Sequence, residues 1–217
     1  MISQAQTLVI VFLMITITER LNAEEWKSEN KVNLVFGLTQ PIFAKGINIE
    51  GNYIHKRLIV NYSHGSSLDF SENLVNADLR EQDISVHIPY TTGFGIGYRF
   101  EEWINIRVEP KWHRFEFYYD GDSQDNSNII TSYNTMSLGI GVYGHYQPFK
   151  NQKSFLHGIM LAPSVRFWPT ISSTLEGDRF TYSNKVTGTN EEIKTLDSGV
   201  SFTPFIINIS IGYSFDL

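Results

Sequence analysis

The sequence predicts an all-β fold: an eight-stranded antiparallel transmembrane β-barrel, built as an up-and-down meander. Three observations predict it. Successive stretches alternate apolar with polar or small residues, the period of two that sends neighbouring side chains to opposite faces of a strand. The clearest case closes the chain, where Phe205, Ile207, Ile209, Ile211, Tyr213, Phe215 and Leu217 share one face and Asn208, Ser210, Gly212, Ser214 and Asp216 share the other. In two stretches glycines sit opposite bulky apolar residues: Gly93, Gly95 and Gly97 against Phe94, Ile96 and Tyr98, and Gly139 and Gly141 against Leu138, Ile140 and Val142. Finally, the connections alternate between short and long, as in a membrane barrel with turns on one rim and loops on the other.

The first element is a targeting segment. Residues 8–17 (LVIVFLMITI) form an apolar run broken only by Thr16. It matches a signal-peptide core and falls short of the roughly 20 apolar residues that a membrane-spanning helix needs. Ala23, just before Glu24 and Glu25, offers a cleavage point. No Lys or Arg precedes the run and Leu21 is bulky for such a site, so an uncleaved anchor or a buried N-terminal helix is the alternative. The expected organisation is a signal peptide at 1–23, a short segment at 24–30 and a barrel domain at 31–217.

Strands follow in order. Residues 31–38 form the first, ended by Gln40-Pro41. In 45–54, Ile47, Ile49, Gly51 and Tyr53 alternate with Asn48, Glu50 and Asn52, and His55-Lys56-Arg57 is a tight polar turn into 58–65. The acidic, irregular stretch 66–83 reads as a long loop. Residues 84–100 and 103–119 are long strands joined at Glu101-Glu102, and Pro110, which has no N–H to donate, is expected to mark a bulge. A loop at 120–128 leads to strand 129–146, and a turn at 147–153 leads to strand 154–168. The stretch 169–200 reads as a long loop with strand extensions near 180–182, and 201–217 is the eighth strand. The connection 39–44 is short for the long-loop rim.

Strand 103–119 separates inside from outside. Ile104, Ile106, Val108, Pro110 and Trp112 form one row, and Asn105, Arg107, Glu109, Lys111 and His113 the other. A charged row must be wet or paired. In a membrane barrel it faces the lumen and the apolar row faces lipid. The glycines support this, because an eight-stranded lumen barely admits side chains. A soluble, lipocalin-like carrier would reverse the faces. Aromatics near strand ends (Trp103, Tyr118, Tyr119, Tyr146, Phe149, Phe155, Phe167, Trp168, Tyr213 and Phe215) suit interfacial girdles.

Bulk composition agrees. Charged residues make up 18% and aromatics 14%, so little charge accompanies much aromatic surface. A net charge of −6 without basic runs argues against a nucleic-acid partner. The absence of cysteine excludes disulfides, thiolate metal sites and a lipidated cysteine.

The signal segment, the eight alternating strands and the terminal Gly212-Tyr213-Ser214-Phe215-Asp216-Leu217 resemble the small outer-membrane β-barrel proteins of Gram-negative bacteria. The Gly-rich stretch 90–100 and the run Pro110-Lys111-Trp112-His113-Arg114 are similar to porin-family barrel domains of Bacteroidetes-like bacteria. The resemblance spans 31–217 at the level of architecture. It implies export through a cleaved signal peptide to the cell outer membrane and a surround of outer-membrane lipid. It also implies that the barrel-assembly machinery recognises the final strand, where Tyr213 and Phe215 fit and Leu217 stands in place of the usual Phe. No functional residue transfers with it.

The candidate site is therefore the lumen. Glu50, Arg99, Arg107, Glu109, Lys111, His113, Arg166 and Asp216 are expected to form an interior salt-bridge network. The functional expectation is a non-enzymatic barrel with a filled polar lumen, structural or acting at the surface through its long loops. Alternatives are a small-solute channel and a lipid-modifying or proteolytic barrel enzyme. For the enzyme, His64 beside Ser63 and near Asp69, with His87 and His113, are the candidates, but no catalytic motif joins them. Asp120, Asp122 and Asp125 lack the ligand ladder of a calcium loop. Gly93-x-Gly-x-Gly alternates within a strand and is no phosphate loop. No cofactor or metal is assigned, and the ligand is left open.

Overall fold

The computed structural model describes residues 29–70, 83–195 and 204–217. The expected signal peptide lies outside them. In chain order the elements are β1 (Asn30–Gly37), a short helix α1 (Thr39–Phe43), β2 (Ile47–His55), β3 (Leu58–Phe70), β4 (Ile84–Glu101), β5 (Ile104–Tyr119) and β6 (Thr131–Gly144). A 3₁₀ turn (Phe155–Gly158) leads into β7 (Ile159–Phe167). Three short strands follow, β8 (Thr170–Ser173), β9 (Arg179–Ser183) and β10 (Asn190–Lys194), and then β11 (Phe205–Asp216).

Eight of these strands close into an antiparallel ring. β1 to β7 pair in succession, β7 pairs with β11, and β11 returns to β1 from Lys31↔Asp216 to Gly37↔Ser210. Closure leaves the ring without an unpaired edge. β6 and β7 share only the register from Ile140↔Phe167 to Tyr143↔Ser164, and β8 takes over the other end of β6 at Thr135↔Ser173. β9 and β10 form a separate two-stranded hairpin beyond the ring.

The faces divide by parity. Outward side chains include Leu34, Ile49, Val60, Phe94, Ile96, Val108, Ile140, Val142, Val165 and Ile209, each between 43% and 57% exposed. The interior holds Asn33, Glu50, Asn52, Asn61, Arg107, Glu109, Lys111 and Arg166, all under 9% exposed. An apolar belt outside and polar groups inside is the reverse of a water-soluble core, and is the architecture of a transmembrane β-barrel. Aromatic pairs lie on the belt towards both rims: Phe94–Trp112 and Phe167–Phe205 on the long-loop side, Tyr98–Phe100 and Tyr213–Phe215 on the short-turn side.

Several sequence expectations need correction. Residues 66–70, read as loop, continue β3, because Leu68 points inward and packs with Ile84, Val86 and Ile88 beyond the belt. Pro110 marks no bulge, since the register runs unbroken from Glu109↔Gly139 to Pro110↔Leu138. The irregularities lie on β4 instead, between His87 and Thr91 and between Arg99 and Glu101. The connection after β1 carries α1. Of the stretch 169–200, read as a long loop, the described part 169–195 is largely structured, through β8 and the β9–β10 hairpin. Trp168 and Tyr118 are no girdle residues, being 6% and 2% exposed; Trp168 shares the inward parity of Ser164 and Arg166.

Candidate functional site in the barrel lumen

β5 supplies the spine of the lumen, because its inward row places a polar group at every second residue. The glycines of β4 make room for it. A Cβ added at Gly93 would strike Lys111, at Gly95 Glu109, and at Gly97 Arg107, all within 2.6 Å. Arg107 is the centre of the network. Its guanidinium donates to Glu50 Oε1 at 2.6 Å, Asn52 Oδ1 at 2.7 Å and Asn105 Oδ1 at 2.7 Å. Glu109 makes no ion pair within reach among the described residues; it accepts from Asn61 Nδ2 at 2.8 Å and from the Tyr143 hydroxyl.

The remaining cations stack on aromatic rings. Arg107 and Arg166 flank the Tyr143 ring, with guanidinium carbons 4.1 and 5.0 Å from its centroid. Arg166 also lies 5.0 Å from the Trp168 ring, whose centroid is 4.0 Å from Lys111 Nζ. The result is a ladder of Arg107, Tyr143, Arg166, Trp168 and Lys111, cation and ring in alternation. Gly139 and Gly141 admit it: their added Cβ atoms would strike Trp168 and Tyr143.

Of the eight network candidates, the structure brings together Glu50, Arg107, Glu109, Lys111 and Arg166. His113 lies beside them but bonds to hydroxyls, with Nδ1 2.8 Å from Thr91 Oγ1 and Nε2 2.6 Å from Ser137 Oγ. Arg99 sits apart at the short-turn rim, bound to Glu29 at 3.4 Å and to the carbonyls of Lys56 and Glu102. Asp216 is also at that rim, 60% exposed at its side chain, 3.5 Å from Lys31 and 3.2 Å from His157. Tyr143 and Trp168 were not among the candidates. Their parity was the available signal, since Tyr143 follows Gly139 and Gly141 on one face and Trp168 follows Arg166.

The catalytic candidates separate. Ser63 is buried in the lumen while His64 points outward, as adjacent strand residues must. Asp69 pairs instead with His87, across β3 and β4 at 2.5 Å. The His113–Ser137 distance suits a base and a nucleophile, but the far ring nitrogen meets a threonine rather than a carboxylate. Asp122 lies 3.7 Å from Lys185, and Asp125 accepts from Ser123 Oγ.

Above the polar storey the lumen turns apolar. Ile84, Val86, Ile88, Phe115, Phe117 and Tyr133 line it, and Phe180 and Tyr182 of the β9–β10 hairpin cap it. Phe180 lies 5.0 Å from Phe117, centroid to centroid. The hairpin is held by Glu191, which accepts from Tyr182, Asn184 and Thr187 at 2.8–3.1 Å. Burial acts to raise the Glu191 carboxyl pKa, yet these hydrogen bonds, joined by Thr189, outweigh it and hold the pKa below its ordinary 4.5. A depressed carboxyl stabilises the fold above its unfolded value, and that contribution is lost as pH falls through the lower folded value. Amide protection at Gly188 and Thr189 is therefore expected to drop below about pH 4.5. In Glu191→Gln that pH dependence should vanish. Equal protection profiles in the two proteins would show that Glu191 does not hold the hairpin.

No family model matches the chain, and no curated protein matches it in sequence. Similar solved structures exist. Ail, the attachment invasion locus protein of Yersinia pestis, is 11% identical, with a TM-score of 0.42 over 86% of this chain and 99% of its own. A major outer membrane protein from Thermus thermophilus is 13% identical, with a TM-score of 0.44 over 87% of this chain and 98% of its own. The N-terminal β-barrel domain of Pseudomonas aeruginosa OprF is 9% identical, with a TM-score of 0.39 over 87% of this chain and 98% of its own.

Proposed function

We propose that the protein is an outer-membrane barrel with a closed lumen, structural or surface-interacting through its long-loop rim, rather than a solute channel. The observation that carries this is the lumen itself. Arg107 bridges Glu50 and Asn52, and Tyr143 bonds across to Glu109, so side chains from three strands meet across the bore. Planar-bilayer recording of the refolded barrel is expected to show no discrete conductance steps. Reproducible steps, altered by Glu50→Gln, would replace this reading with a channel.

Membrane residence rests on the apolar belt and has its own test. Ile140, 47% exposed on the belt, replaced by Lys should cost about 2–4 kcal/mol if it faces the bilayer midplane. A water-facing position would tolerate the change within about 0.5 kcal/mol. Urea unfolding in lipid vesicles distinguishes the two. The final strand, with its outward row ending at Tyr213, Phe215 and Leu217, is the proposed handle for the barrel-assembly machinery.

A further inference from the structure

Between the polar plug and the apolar storey lies a cavity of about 320 Å³. Lys111 and Arg166 line it beside Trp168, and Leu68, Ile88 and Ile206 give it apolar walls. Its volume is at the small end of ligand pockets, which run from about 300 to 1,000 Å³.

The two cations are unusual for their depth. Lys111 is 3% exposed and Arg166 is 4% exposed. Among the described residues neither has a carboxylate within ion-pair distance. The nearby carboxylates are engaged elsewhere, Glu50 by Arg107 and Glu109 by Asn61 and Tyr143. Lys111 meets the face of Trp168, and the Arg166 side chain has one hydrogen bond among the described residues, from Nε to Ser164 Oγ at 2.9 Å. The Trp168 indole N–H also finds no acceptor among the described residues. This end of the cavity therefore presents donors and positive charge with no carboxylate among the described residues to meet them; the Gln40 side-chain oxygen on the same wall, also unbonded, is a neutral acceptor. Three buried cations, Arg107, Lys111 and Arg166, thus share two buried carboxylates, Glu50 and Glu109; the excess positive charge is costly, and a bound anion would offset that cost. An inorganic anion would leave the apolar walls uncovered. A neutral hydrocarbon would leave the cations unmatched.

We propose that this cavity binds a medium-chain amphiphile with one anionic head, its carboxylate on Lys111 and Arg166 and its chain against Leu68, Ile88 and Ile206. The site is a property of the barrel interior and stands whether or not the lumen below it conducts.

The test uses the full barrel in lipid nanodiscs and decanoate labelled at its carboxyl carbon, titrated by NMR against empty nanodiscs. Saturable binding is expected, with a carboxyl resonance shifted from that of decanoate in lipid. Decanol and acetate, which lack the head charge and the chain respectively, should bind about tenfold more weakly or worse, as should decanoate to Lys111→Met. Leu68→Trp fills the cavity without touching the cations and should abolish binding. Ile206→Trp, on another wall, gives the same reading where Leu68→Trp does not fold, folding being scored by heat-modifiable gel mobility. Uptake no greater than by empty nanodiscs overturns the proposal. So does decanol binding as well as decanoate, or undiminished binding in a folded cavity-filling variant.

Discussion

Arg107→Leu is expected to destabilise the barrel by about 3–5 kcal/mol, the cost of removing one partner from a buried ion pair. Arg107 and Glu50 are 6% and 7% exposed and 2.6 Å apart. Removing the guanidinium orphans the Glu50 carboxylate and the Asn52 and Asn105 side-chain oxygens together, and it takes one cation from the Tyr143 ring. The change is read as a lower urea midpoint in lipid vesicles. The double variant Glu50→Leu with Arg107→Leu should recover part of the loss, because it leaves no orphaned charge, although Asn52 and Asn105 still lack their donor. A single variant within about 0.5 kcal/mol of the parent would mean that water, not Arg107, solvates Glu50.

Gly139→Ala should be the most disruptive single methyl in the ring. Its Cβ would lie 1.3 Å from Trp168 Cδ1 and 1.5 Å from Nε1, and Trp168 is held between Lys111 and Arg166. Moving the indole breaks the cation–ring ladder. The expected cost is about 1–3 kcal/mol, the range for overpacking a filled interior, with a changed near-UV circular dichroism band for Trp168. Gly51→Ala is the control. Its Cβ meets nothing nearer than Leu34 Cδ2 at 4.0 Å, so it should stay within about 0.5 kcal/mol. Equal effects from the two variants would show that the indole does not rest on Gly139.

Alternation along the chain was enough to place Glu50, Arg107, Glu109, Lys111, His113 and Arg166 inward and Ile104, Val108, Ile140 and Ile209 outward. Facing is local: in a strand the side chain direction reverses at each residue, so one well-placed charge sets the whole row. The same rule dismissed the Ser63–His64 pair, whose members face opposite ways. It would also have found Tyr143 and Trp168, had parity been followed past the glycines and Arg166.

Polarity was a poorer guide at the loops. The stretch 66–70 is mostly polar in sequence yet continues β3, because Leu68 and Phe70 have an apolar storey to join. Pro110 sits in a regular register because β5 tolerates its missing N–H without shifting either neighbour. The β9–β10 hairpin is stabilised by Phe180 and Tyr182 packing on Phe117 and Tyr133, contacts that no local pattern records.

The sequence by itself determined the class of fold, the strand faces and the polar character of the lumen, since each follows from residues one or two apart. Tertiary structure alone decided which lumen groups meet. Ring closure and the stagger between strands bring Glu50 of β2 to Arg107 of β5, and give Glu109 to Asn61 and Tyr143 instead of to its charged neighbours. They carry Arg99 and Asp216 to the rim, and leave Lys111 and Arg166 beside a cavity that no carboxylate of the described residues lines. Those distances depend on how eight strands are offset around the ring, a quantity set by the whole barrel rather than by any one strand.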